Sequence, residues 1–203
     1  LYMKVGIIGS GGREHAISHA IQKSHKVDQI FCIPGNAGTS TIAENVDLDF
    51  NDFNLLKDFI NKKRIDIVII GPEKPLVDGI VDFLEKEGIK VFGPNKFASK
   101  LEGSKIFTKD ICKKHNIPTA NFGVFENLKT SKNFLEKCNL PIVVKADGLA
   151  AGKGVYICET KNQSIQAVEE IFDGKFGTAK QVLIEEFLDG EEMSFFIISD
   201  GKN

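Results

Sequence analysis

The segment Lys145-Ala146-Asp147-Gly148-Leu149-Ala150-Ala151-Gly152-Lys153-Gly154 sets two lysines among three glycines, directly after the apolar run Pro141 to Val144. A strand that ends in a lysine and opens into glycines lets backbone N–H groups approach phosphate oxygens closely, while the lysines neutralise their charge. The chemistry implied is binding of a nucleotide's phosphates. The pattern is not a Walker A loop, because only Leu149, Ala150 and Ala151 separate the first two glycines, and Gly154 stands where a serine or threonine would hold magnesium. The plainer alternative, a tight turn between two strands, leaves the repulsion between neighbouring lysines unexplained.

A second glycine cluster, Gly9-Ser10-Gly11-Gly12-Arg13-Glu14-His15, follows the first apolar run and opens a helical pattern. In a doubly wound sheet this places backbone donors and a helix N-terminus at the carboxyl edge, where anions bind. Arg13 is either a bidentate phosphate partner or an exposed arginine at a helix start. A dinucleotide reading fails twice: Glu14 takes the place of the third glycine of G-x-G-x-x-G, and the second strand ends in Ile33-Pro34 without an acidic residue for a ribose. Two more loops, Pro34 to Thr39 and Gly71 to Leu76, follow the second and third strands, so three loops converge on one sheet edge and suggest a shared pocket. Taken singly, each is an ordinary turn, with Pro75 near a helix start. Glu73 is either a partner for an amine or ribose or a helix-entry carboxylate.

Two further groups carry weaker signals. His15 and His19 share a helix face, but neither the glutamate of H-E-x-x-H nor a third ligand is evident, so no zinc site is expected. Leu183 to Ser194 runs from an apolar strand into Glu185, Glu186, Asp189-Gly190, Glu191 and Glu192. Such a segment could offer backbone groups to a base and a carboxylate to a ribose, or be a hairpin with exposed acids.

The elements that must position these residues alternate. Lys4 to Ile8, Gln29 to Ile33, Asp66 to Ile70 and Lys90 to Phe92 are short β-rich runs, separated by helical patterns at Arg13 to Lys23, Phe53 to Lys63 and Leu76 to Gly88. Strand, helix, strand in repetition means right-handed crossovers and a parallel sheet, so residues 1 to about 103 read as a doubly wound α/β domain. Leu101 to His115 reads as a helix ended by Ile117-Pro118, at a domain boundary. Strands at Asn121 to Phe125, Ile142 to Lys145, Val155 to Cys158 and Val182 to Glu186, with helices near Leu128 to Lys137 and Ser164 to Phe172, then predict an α+β unit. Met193 to Ser199 is expected to begin another strand, with Asp200-Gly201 as a hairpin turn whose return strand is absent.

Composition sets bounds on function. The chain has 203 residues, a formal net charge of -2 and 42% hydrophobic residues, ample for a core and without global attraction for nucleic acid. Cys32, Cys112, Cys138 and Cys158 form no C-x-x-C pair and read as reduced thiols in a cytoplasmic protein. No apolar stretch approaches the roughly 20 residues of a membrane span, and Met3 is read as the natural start.

Gly9 to Ala16, Pro34-Gly35-Asn36-Ala37-Gly38, Gly71-Pro72-Glu73 with Pro75-Leu76-Val77, Phe92-Gly93-Pro94, Leu101-Glu102-Gly103-Ser104-Lys105, the Lys145 to Gly154 loop and Glu185 to Glu192 together resemble the phosphoribosylamine--glycine ligase (glycinamide ribonucleotide synthetase) family, in order and spacing. The resemblance implies the N-terminal half of an ATP-grasp enzyme of purine biosynthesis. It implies a doubly wound substrate-binding domain over 1–103, a first part of the central ATP-grasp domain over 104–121, a mobile lid over 122–187, and the start of the remaining central domain over 188–203.

Carried over by position, Lys105 and Lys145 resemble the catalytic lysines that contact ATP phosphates, and Gly148, Ala151, Gly152, Lys153 and Gly154 the loop that closes over them. Glu185, Glu186, Phe187 and Leu188 resemble the hinge that contacts adenine, largely through backbone groups, and Glu192 the carboxylate for the ribose hydroxyls. Gly9, Gly11, Gly12, Arg13, Asn36, Gly38 and Glu73 would hold 5-phosphoribosylamine. The substrates implied are that amine, glycine and ATP, with Mg2+ or Mn2+ whose ligands are expected beyond Asn203, so no metal ligand is expected within this chain. Neither nucleic acid nor membrane is an expected partner, and a monomer or weak dimer is expected. A chain of this length is expected to be inactive alone. Another ATP-grasp ligase or carboxylase, and a non-catalytic nucleotide-binding module, are the alternatives.

Overall fold

Near-continuous apolar runs mark strands covered on both faces, and Val5-Gly6-Ile7-Ile8 and Ile30-Phe31-Cys32-Ile33 are such runs. In the computed structural model, which describes residues 2–149, 153–177 and 180–199, they lie in strands β1 (Met3–Gly9) and β2 (Val27–Pro34). With β3 (Glu44–Asn45), β4 (Ile67–Ile70) and β5 (Val91–Phe92) they form a five-stranded sheet of order β3-β2-β1-β4-β5. Every neighbouring pair is parallel, as a doubly wound α/β fold requires. The chain divides into two compact units, residues 1–108 and 109–203.

Both faces of the first sheet are covered. Helix α1 (Gly12–Ile21) lays Ile17 and Ile21 on Val5, Ile7, Ile30 and Cys32. On the other face Leu56 and Ile60 of α2 (Phe53–Lys63) join Ile8, Phe31 and Ile33. Asp52 starts α2 by accepting the N–H groups of Asn54 and Leu55, and Arg64 ends it in a left-handed conformation. The single helix expected over Leu76 to Gly88 is instead two, α3 (Glu73–Asp78) and α4 (Ile80–Lys86), because Gly79 adopts φ +102° and closes the first with its N–H on Pro75 O. The helix expected over Leu101 to His115 also divides, into α5 (Lys100–Gly103) and α6 (Lys105–His115). Extended Ser104 separates them and accepts the Phe107 N–H at its hydroxyl, as an N-cap does.

The second unit carries an antiparallel sheet of β6 (Phe122–Phe125), β7 (Ile142–Ala146), β8 (Val155–Cys158) and β9 (Val182–Glu186), in the order β6-β9-β7-β8. Helices α7 (Leu128–Leu135) and α8 (Lys161–Phe172) cover one face, burying Leu135, Ala167, Val168 and Ile171 against Ile142, Val144, Ala146, Val182 and Ile184. Thr160 and Gln163 begin α8 with reciprocal backbone contacts, a capping box. The strand expected over Met193 to Ser199 does not form: a strand needs a neighbouring strand for its N–H and C=O groups, no strand is assigned after β9 among the described residues, and Met193 and Phe195 to Ile198 are exposed. The turn expected at Asp200-Gly201 lies outside the described residues. Among the described residues no helix is long and apolar enough to cross a membrane.

Candidate functional site

The order of the first sheet reverses beside β1, and the loops leaving β1 and β4 border that switch point, where doubly wound sheets bind ligands. A cavity of about 410 Å³ opens there, lined by Gly9, Ser10, Gly11, Gly12, Arg13, Glu14, Phe50, Pro72 and Glu73. Arg13 ties the two loops together, donating to Gly71 O at 2.5 Å and to Glu73 Oε1 at 2.8 Å. Its side chain remains 58% exposed, so its remaining donors face solvent in the cavity. The Arg13 hydrogen bond is the main reason the Glu73 carboxyl titrates below its ordinary range, and Glu73 in turn raises Arg13.

Glycine is needed in these loops because of a side chain that sequence reasoning treated only as a departure from a motif. Glu14, 4% exposed, accepts the Gly11 N–H at 2.5 Å, a half capping box readable from its spacing three residues past Gly11. A Cβ on Gly71 would stand 1.9 Å from Glu14 Oε1, and one on Gly9 2.7 Å from its Cδ. The Gly11 N–H is therefore taken, and a Cβ there would stand 3.0 Å from Glu14 Oε2. The N–H groups of the first turn of α1 beyond Gly11 have no partner within the helix, and Gly12 has open space where a side chain would be. Asn36 works on the loops themselves: its Nδ2 donates to Ser10 O and Gly11 O, and its Oδ1 accepts the N–H groups of Gly38 and Thr39. Gly38 leaves room for His15, whose Nδ1 would be 2.8 Å from an added Cβ.

In the second unit the pleat sorts residues by parity. Along β7, Ile142, Val144 and Ala146 enter the helix-covered core, whereas Val143 and Lys145 face the other way; in β9, Val182 and Ile184 enter it while Leu183 and Glu185 do not. Lys145 pairs with Leu183 and Val143 with Glu185, so Lys145 and Glu185 are diagonal neighbours. They form an ion pair through Lys145 Nζ and Glu185 Oε1. A second cation, Lys109 of α6, puts Nζ 2.7 Å from Glu185 Oε2 and donates to Thr119 Oγ1 at 2.7 Å and Ala120 O at 3.3 Å. Lys109 was missed because its position reads as one more lysine on an amphipathic helix; its burial to 9% exposure shows only in the fold.

Gly148, Lys153 and Gly154 belong to the loop that joins antiparallel β7 and β8, closed by Ala146 N donating to Gly154 O at 2.8 Å. Gly148 holds φ +94°, with open space at its Cβ position; Ala151 and Gly152 lie outside the described residues. Lys153 is exposed. Lys105 is the first residue of α6. The Glu186 carboxylate accepts the backbone N–H and side-chain amide of Asn121, and these bonds hold it below its ordinary range. The Glu186 backbone N–H is engaged as well, donating to Asn121 O at 3.0 Å. Phe187, Leu188 and Glu192 are exposed after β9.

Residues 3–102 match the description "Phosphoribosylglycinamide synthetase, N domain" and residues 103–203 match "Phosphoribosylglycinamide synthetase, ATP-grasp (A) domain". The chain belongs to the phosphoribosylglycinamide synthetase family. It is 50% identical to the phosphoribosylamine--glycine ligase of Brucella melitensis biotype 1 over 98% of its own length and 47% of that protein. It thus spans about half the length of the curated relatives it matches. A crystal structure of the phosphoribosylamine--glycine ligase of Thermotoga maritima superposes with a TM-score of 0.75 at 34% identity, over 93% of this chain and 44% of that one. The biotin carboxylase domain of the Hydrogenobacter thermophilus 2-oxoglutarate carboxylase shares the fold, with a TM-score of 0.73 at 17% identity, over 93% of this chain and 45% of that one. The synthetase family thus sets its first domain on a parallel sheet and joins it to an ATP-grasp fold.

Proposed function

We propose that this chain forms the amine-substrate and nucleotide half of a ligase that joins glycine to 5-phosphoribosylamine. The products are glycinamide ribonucleotide, ADP and phosphate, through glycyl phosphate. The observation that carries the reading is that relatives of this name match nearly the whole chain, and that the Arg13–Glu73 cavity and the Lys145–Glu185 pair lie within the matched length. In this reading residues 1–103 bind the amine, 104–121 and 188–203 belong to the central ATP-grasp domain, and 122–187 close over ATP. The enzyme is taken to work in the cytoplasm, as a monomer or weak dimer.

The chemistry needs no protein nucleophile. The glycine carboxylate attacks the γ-phosphorus of ATP and ADP leaves; the amine of phosphoribosylamine then attacks the acyl carbon and phosphate leaves. Lys145 and Lys105 act by offsetting the negative charge that keeps carboxylate and triphosphate apart, and the glycine loop by excluding water from the acyl phosphate. Arg13 and the first turn of α1 hold the phosphate of the amine substrate. Magnesium or manganese, when bound, supplies further charge neutralisation. Among the described residues no three His, Cys, Asp or Glu side chains come together to hold one, and its ligands are assigned beyond Asn203.

The test is ADP release that depends on both glycine and phosphoribosylamine, measured with magnesium on this chain and on the chain extended through its natural reading frame to the length of its relatives. Turnover by the extended chain alone is expected. An extended chain that binds ATP yet never turns over would overturn the ligase reading in favour of a binding module.

A further inference from the structure

Lys145 meets a difficulty if it is to hold phosphate. Its Nζ is already paired with Glu185, a carboxylate only 5% exposed. A neutral lysine–glutamate pair has little attraction for an anion. Drawing the lysine away would leave a buried carboxylate uncompensated, which is among the costliest changes in a protein interior. The structure contains the remedy on the opposite side of Glu185. Lys109, buried behind it, presents Nζ at 2.7 Å to Oε2, an ionic contact whose angles lie outside hydrogen-bond range, while Thr119 and Ala120 fix the ammonium in place. Phe122, with its ring centroid 5.4 Å from the same ammonium, adds an aromatic wall. Two lysines thus share one carboxylate, and the three side chains together carry one net positive charge.

We propose that Lys109 is a positioning residue that keeps Glu185 neutralised, so that Lys145 is held in place by Glu185 before nucleotide arrives and transfers to the phosphates without stranding it. Lys109 touches no ligand; it acts through Glu185. The inference rests on the assignment of Lys145 to the nucleotide's phosphates and adds the residue that makes that assignment electrostatically workable. It predicts that the effect of Lys109 on nucleotide affinity exists only while Glu185 is charged, which a lysine that merely packs against Thr119 and Phe122 would not show.

The experiment is a double-mutant cycle in the extended chain, with ADP affinity read by calorimetry on protein confirmed as folded. Lys145→Ala serves as reference, and unchanged affinity in it would remove the site reading and this inference together. With that reference lowered, Lys109→Met is expected to weaken ADP binding about tenfold, the size of one charge-assisted contact. Adding Glu185→Gln should recover most of the loss, because the carboxylate that competes for Lys145 is gone. Additive losses, or no loss in Lys109→Met, would overturn the role of Lys109 and leave the Lys145 assignment standing. Should Lys109→Met fail to fold, the double substitution is compared with Glu185→Gln alone. Affinities within about threefold support the inference, and a further tenfold loss overturns it.

Discussion

The two units would meet the anionic ligands proposed for them with different materials. At the mouth of the parallel sheet the work is done by backbone and space: glycines make room for Glu14, Asn36 staples two loops, and one exposed guanidinium faces the cavity. On the antiparallel sheet it is done by whole side-chain charges, two lysines around one buried carboxylate. A backbone site is set by steric fit and suffers from added atoms, whereas a charge site is set by balance and suffers from removed ones.

The largest effect should come from adding a methyl group to the first unit. Gly71→Ala places a Cβ 1.9 Å from Glu14 Oε1 and is expected to lower stability by about 3 kcal/mol, the upper end for overpacking. Gly148→Ala meets open space and bears only the strain of φ +94°, expected at about 1 kcal/mol. Urea denaturation of both variants checks the ranking, and equal losses would break the contrast.

A smaller loss is expected on removing the staple. Asn36→Ala deletes a side chain that makes four hydrogen bonds to loop backbone, and should cost about 2 kcal/mol while, in the extended chain, raising KM for the proposed amine substrate and leaving KM for ATP within about twofold. A matched rise in both constants would show that the loops of the first unit do not act on one substrate alone.

Acid should reveal a smaller term still. The folded-state pKa of Glu73 is depressed by Arg13, so the pair's contribution is fully present above the unfolded carboxylate value and is lost as pH falls through the lower folded value. The stability gap between the parent and Glu73→Gln, at most about 1 kcal/mol for so exposed a pair, should be constant from pH 7 to 5 and shrink below about pH 4. A gap that widens in acid contradicts the pairing.

Cysteine labelling offers the finest probe, with one buried thiol in each unit. Burial raises both Cys32 and Cys158, so each should resist alkylation at neutral pH until its own unit opens. Two distinct urea dependences would mark independently opening units; one shared dependence would merge them.

Much of the architecture was legible because the strand runs are short and open on β-branched or aliphatic residues, as Val155 to Cys158 and Val182 to Glu186 show by matching their expected limits. What escaped was tertiary. The break at Gly79 interrupts a pattern that is helical in periodicity on both sides, and nothing local requires that glycine to turn left-handed. Met193 to Ser199 has the composition of a strand, but among the described residues no strand is assigned there. In the candidate site, Lys145 and the glycines announced themselves through residue type. Lys109 and Glu14 did not, since their importance lies in burial beside a partner, 76 positions away for Lys109.

The pleat of the second sheet has one last consequence, for how this sequence tolerates change in length. Lys145 faces away from the helices because it falls an even number of residues from Val143, and the core strands around it obey the same count. Deleting one residue between Pro141 and Lys145 therefore does not weaken the charge site; it turns it inside out, sending a lysine into the hydrocarbon of α7 and α8 and an aliphatic side chain toward Glu185. Deleting two keeps each face as it was. Insertions and deletions in this strand are filtered by odd and even.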